Sequence, residues 1–118
     1  MASTGLFGPY DLKDKEIDAH VSDGIGAYAL GHTSGTGGFM VDYVGRSDYD
    51  LNARLKQWIG KYNTFKYGHY NTMKAAFEKE CSMFHDFGGT AKLDNKAHPA
   101  RPTGTNFDCP NGSCTDLD

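Results

Sequence analysis

Residues 74–87 read K-A-A-F-E-K-E-C-S-M-F-H-D-F, and no other stretch constrains the fold as tightly. At about 100° per residue, Ala76, Phe77, Met83, Phe84 and Phe87 fall on one face, so the spacing predicts a helix that buries one apolar stripe. Glu78 points away from that stripe, whereas Glu80 falls near its centre, between Phe77 and Phe84. An ionised carboxylate on a buried face is costly unless something positive meets it. A divalent cation is a physically sufficient partner.

The rest of the chain supplies a setting for this helix. Asp11 is a candidate cap for a short helix over residues 12–21, with Leu12, Ile17 and Val21 as sparse apolar points. Two strand-like segments follow, G-A-Y-A-L-G-H at 26–32 and F-M-V-D-Y-V-G-R at 39–46, joined by the hairpin-length loop T-S-G-T-G-G. Ser47-Asp48 offers caps for a helix over 49–60, striped by Leu51, Leu55, Trp58 and Ile59 and stopped by Gly60. F-K-Y-G-H-Y at 65–70 reads as a third strand, and Asn71-Thr72 caps the helix that holds Glu80. Gly88-Gly89 ends it. Residues 90–118 carry Pro99, Pro102 and Pro110 with little periodicity and read as an irregular tail. The expectation is an α+β fold, a small three-stranded antiparallel sheet with flanking helices in the order ββαβα. An N-terminal extension over 1–24 precedes the domain at 25–96, and a tail over 97–118 follows it.

Length and charge narrow the class. The 118 residues suit one domain with a modest core. No apolar run approaches the roughly 20 residues of a membrane span. The opening M-A-S-T-G-L-F-G-P-Y-D lacks the basic start and apolar segment of a signal peptide, so a cytoplasmic location and no membrane partner are expected. The formal net charge of −3 argues against a nucleic-acid partner, but its distribution does not. Asp11, Asp14, Glu16, Asp18 and Asp23 outnumber Lys13 and Lys15 near the start. In the middle, Arg46, Arg54, Lys56, Lys61, Lys66 and Lys74 outnumber Asp48 and Asp50. Tyr49, Trp58, Tyr62, Phe65, Tyr67 and Tyr70 are interleaved there. A basic, aromatic segment suits a polyanion, although a solvated charged face is the commoner origin of such a run.

Gly26-Ala27-Tyr28, then Tyr43-Val44-Gly45-Arg46-Ser47, then Arg54-Leu55 on the next helix resemble the GIY-YIG nuclease superfamily. So do Ala76, Glu80, Met83 and Phe84 at the family's spacing around its glutamate, and Asn95 in L-D-N-K-A-H-P as its late asparagine. The resemblance covers residues 25–96. It implies that Glu80 holds Mg²⁺ or Mn²⁺, a hard cation that keeps most of its waters. Arg54 would donate paired hydrogen bonds to the phosphoryl oxygens. Tyr28 would act as general base, which for a phenol of pKa about 10 requires help from its surroundings. Tyr43 would position water or phosphate, and Gly45 would let the backbone approach the site. Arg46, Ser47, Lys56, Lys61, Lys66, His69 and Asn95 are the expected substrate-binding residues, with His69 also a candidate for proton transfer. The chain departs from the family pattern at Ala27 and at Trp58, where many members carry histidine or tyrosine.

The cysteines suggest a second metal. Cys81 and His85 lie one helical turn apart, and C-P-N-G-S-C places Cys109 and Cys114 close together. Cys81, His85, Cys109 and Cys114 make a candidate structural zinc set that would pin the tail. His98 is a competing ligand, and a Cys109–Cys114 disulfide or plain thiols are the alternatives. The function expected from all of this is a metal-dependent endonuclease acting on DNA. So small a chain needs a separate targeting module or protein if it is to choose a sequence. The alternative is a non-catalytic nucleic-acid-binding or zinc-stabilised interaction module of the same fold.

Overall fold

The glycine-rich loop and the alternation on either side of it dictate the central hairpin, from which the other elements can be placed. The structure, a computed structural model, describes residues 4–107 and 109–110. In chain order its elements are β1 (Phe7–Asp11), α1 (Asp14–His20), β2 (Gly26–Thr33) and β3 (Phe39–Ser47). They continue with α2 (Leu51–Lys56), β4 (Thr64–His69), α3 (Met73–Asp86) and α4 (Gly89–Lys92). Strands β2 and β3 form the hairpin, with Tyr28 opposite Gly45 and Leu30 opposite Tyr43. Ser34 closes its loop, because its N–H donates to Gly38 O at 2.7 Å and its hydroxyl accepts from Gly38 N at 3.1 Å.

The sheet has four antiparallel strands in the order β1-β4-β2-β3, not the three expected. The missed strand is β1, whose ladder with β4 pairs Phe7 with Tyr67 and Tyr10 with Phe65 and is irregular between them, at Gly8-Pro9. A glycine and a proline erase the period-two signal, and proline is tolerated because β1 lies at the sheet's edge. Asp11 therefore ends a strand, and Lys13 precedes α1 without a side-chain cap.

Strand parity divides the core into two layers. Tyr28, Leu30 and Phe65 face α1 and α2, where they meet Ile17, Leu51 and Leu55. Ala27, Ala29 and Val44 face the other way, against Met83 and Phe84 of α3 and Leu93 beyond it. Thr72 caps α3 by accepting from Ala75 N at 3.0 Å. Helix α2 is shorter than its apolar stripe. Beyond Lys56 the N–H groups of Trp58 and Ile59 bond three residues back, and Gly60 turns the chain at φ +91°. The cap is Asp50, which accepts from Ala53 N at 3.0 Å, while Ser47 Oγ accepts from Asp50 N one step earlier.

The segments on either side of these elements join this core. Leu12, Ile17 and Val21 are buried against the first layer, and Leu93, Asn95, Pro99 and Pro102 are buried after α4, where an irregular tail was expected. Among the described residues no helix is long and apolar enough to cross a membrane.

Candidate active site

Among the described residues strand β3 has no strand partner on its outer side, and a concavity opens along that edge. Tyr43 and residues 46–50 form one wall, Arg54, Gln57, Trp58 and Tyr62 a second, and residues 93–100 a third, with Glu80 reaching in from α3. At about 1420 Å³ it is larger than the roughly 300–1,000 Å³ of small-molecule pockets and suits an extended ligand.

Arg46 is what meets Glu80. Parity along β3 puts Arg46 on the same face as Val44, towards α3, and its Nη1 donates to Glu80 Oε1 at 2.7 Å. The guanidinium is itself held on three sides. Asp48 accepts from Nε at 2.9 Å, the Phe77 ring lies 5.3 Å beneath, and Ala100 O accepts from Nη1. Glu80 is only 7% exposed. Burial pushes its carboxyl up to about 7, against the opposing pull of Arg46. A buried carboxylate this close to neutrality holds a cation only in competition with a proton.

The two motif tyrosines lie together. Tyr28 is buried at 2% exposure, and Trp58 Nε1 donates to its hydroxyl oxygen at 2.8 Å. Burial raises its pKa well above the ordinary phenol value, although the indole N–H and Arg54 favour the phenolate. Tyr43 packs on Trp58 with ring centroids 4.6 Å apart, and burial, then the charge of Glu80, raises its pKa as well. Packing alone requires Gly45: a Cβ there would fall within the Tyr28 ring. Arg54 lines the concavity from α2 and donates from Nη1 to Gln57 Oε1 at 3.2 Å.

The concavity thus gathers Tyr43, Arg46, Ser47, Arg54 and Glu80. Tyr28 lies behind Trp58 through their shared hydrogen bond. Asn95 lines the third wall, but its amide is engaged: Oδ1 accepts from Val44 N at 3.0 Å and Nδ2 donates to Val44 O at 2.9 Å. It pairs with the open edge of β3 as a strand would. The expected basic track is not continuous. Lys61 stands over the Trp58 ring at 5.8 Å. Lys56 pairs with Asp18 at 2.8 Å on the α1/α2 layer, and Lys66 lies over Phe39 on the opposite layer. His69 contacts Ile25 O and Ser22 Oγ and does not line the concavity. Sequence reasoning missed the pairing of Arg46 with Glu80, and strand parity set beside the helical stripe carried the signal for it.

A second group of ligand-type side chains lies behind α3. The ligand atoms of Cys81, His98 and Cys109 all lie within 4.8 Å of one another, a set that could hold a metal ion. His98 rather than His85 completes it. The chain beyond α4 folds back and brings His98 to Cys81, whereas the His85 ring packs on His98 at 5.1 Å with Nε2 buried and unpartnered among the described residues. Cys114, the other expected ligand, lies outside the described residues. Comparison of the chain with protein-family models, curated proteins and solved structures gives no match.

Proposed function

We propose that this protein is a metal-dependent endonuclease of the GIY-YIG kind that hydrolyses DNA phosphodiester bonds. One observation carries the reading. A buried glutamate from α3, an arginine from α2 and a tyrosine from β3 converge on one open concavity, with the second motif tyrosine directly behind it. Separate elements of the chain supply them, so their convergence does not follow from sequence proximity.

The residues fit a single hard cation. Glu80 lines the concavity with Oε1 on Arg46, and among the described residues nothing bonds its other oxygen. Mg²⁺ needs few protein carboxylates when waters and phosphate complete its shell. Bound there, Mg²⁺ or Mn²⁺ would supply Lewis-acid stabilisation of the leaving 3′ oxygen. Arg54 would receive the phosphoryl oxygens, with donors besides the one that Gln57 takes. Tyr43 orients the phosphate or attacking water from the wall. Tyr28 keeps its proton in the resting protein because it is buried. Its work as general base therefore depends on substrate binding to favour the phenolate, with Trp58 Nε1 already placed to stabilise that charge.

The test is nicking of supercoiled plasmid with Mg²⁺ or Mn²⁺, with and without chelator. Glu80→Gln is expected to abolish nicking and Glu78→Gln to leave it within about twofold, since Glu78 lies off the buried stripe. A specific observation favours a second reading, a non-catalytic nucleic-acid-binding module: Arg46 already neutralises Glu80 without a metal. Plasmid binding with no nicking under any divalent cation would establish that reading instead.

A further inference from the structure

The segment beyond α4 crosses the open edge of β3 and then runs to a point behind α3 where three soft or borderline donors meet. Cys81 Sγ from α3, and a His98 ring nitrogen and Cys109 Sγ from the segment beyond α4, lie within 4.8 Å of one another. With Zn–S near 2.3 Å and Zn–N near 2.0–2.1 Å, tetrahedral ligands sit about 3.4–3.8 Å apart, so the three atoms need close by only about 1 Å. A second observation concerns the histidine alone. His98 Nδ1 lies 2.8 Å from Pro99 O, and a carbonyl can only accept, so Nδ1 carries the proton. Nε2 is then the unprotonated nitrogen, the one able to ligate. Metal-binding histidines are ordinarily oriented in this way, one ring nitrogen donating to a backbone carbonyl and the other ligating.

We propose that Cys81, His98 and Cys109 hold a structural zinc ion. Two thiolates and an imidazole select zinc over the hard cations that a lone carboxylate takes. Closed zinc sites use four ligands, so one further donor completes the shell. The ion locks a segment that also touches the candidate active site, since Asn95 pairs with Val44 and Ala100 O accepts from Arg46. Zinc at this point fixes the third wall of the concavity whatever reaction occurs there.

The experiment measures metal in the full chain and does not depend on nuclease activity. Protein purified without chelator is expected to contain one zinc per chain. Replacement by Co²⁺ should give visible d–d bands and a thiolate-to-cobalt charge-transfer band. Cys109→Ser and His98→Gln are expected to lose the zinc, with affinity falling by more than the roughly 10–100-fold that loss of a supporting hydrogen bond produces. His85→Gln should keep it. Cys81 is fully buried and its replacement disturbs the core by itself, so the two tail variants decide the matter. Stoichiometric zinc in both of them, or wild-type protein that neither contains zinc nor takes it up when Zn²⁺ is added, would overturn the site.

Discussion

Tyr28 and Gly45 face each other across the β2–β3 ladder, and the glycine is required because the tyrosine ring occupies the space above it. Gly26 answers to packing in the same way, since a Cβ there would press on Leu51 and on Gly68 O. Two motif glycines thus serve the burial of Tyr28 and α2, a use that no spacing rule reveals. Burial has a measurable consequence for Tyr28. Its unfolded pKa is about 10, and its folded pKa is higher. A group raised on folding contributes stability that is intact below the unfolded pKa and lost as pH rises towards the folded value. Wild-type stability should therefore fall above pH about 10, with Tyr28 contributing up to about 1.4 kcal/mol per pH unit. Tyr43, Tyr62, Tyr67 and Tyr70 are also raised, so the comparison has to be made against a variant. Tyr28→Phe should be less stable at pH 8 by about 1–3 kcal/mol, because Trp58 Nε1 loses its acceptor, yet should fall less steeply above pH 10. Urea denaturation of both proteins across that range is the measurement. Parallel slopes would mean that Tyr28 ionises freely in the folded state.

At the scale of elements, the central hairpin and α3 were legible because each has a clean period and a chemical stop. Period two ran into a glycine loop for the hairpin, and a helical stripe ran from Thr72 to Gly88 for α3. Strand β1 was not legible. Its pairing depends on the exposed side of β4, and F-G-P-Y-D has neither alternation nor length. Nor was the order of the tail, whose fixed points are single contacts such as Asn95 on Val44 and are not periodic. The candidate site divides along the same line. Glu80 could be singled out from its own helix, but its partner Arg46 could be assigned only once β3 and α3 were packed together. An N-terminal segment that reads as an extension is, in the structure, part of the core. Leu12, Ile17 and Val21 are each buried, at roughly 1.5–3 kcal/mol apiece, against a total stability of about 5–15 kcal/mol for a domain. Deletion of residues 1–21 should therefore abolish cooperative unfolding and expose the Phe65 and Leu55 surface to a hydrophobic dye. A truncated chain with a sharp transition near the wild-type midpoint would show that the sheet and α3 suffice.

For the whole molecule, the question is how a chain of net charge −3 would hold a polyanion. The basic middle segment is dispersed by folding. Lys56 is paired with Asp18 on one layer, and Lys66 lies over Phe39 on the other. Arg46 is held between Glu80 and Asp48. That leaves Arg54 and Lys96, which line the concavity, and Lys61, beside the Trp58 wall, as the cations best placed to face a phosphate backbone there. Few charges at one edge imply weak, shallow salt dependence, because each phosphate neutralised contributes a slope of only about −0.9 in log K against log salt. The prediction separates the three lysines that the sequence groups together. Lys61→Gln should weaken duplex binding and reduce the salt slope by about one, whatever the DNA sequence. Lys66→Gln should leave both unchanged, because its ammonium is on the sheet face away from Trp58. Lys56→Gln should change little, since Asp18 already screens it and the freed aspartate is exposed. Fluorescence anisotropy with one labelled duplex over a range of salt concentrations measures all three. Equal losses from Lys61→Gln and Lys66→Gln would move the DNA off the β3 edge and onto the face of α3, and the convergence of Arg54, Tyr43 and Glu80 would then need another explanation.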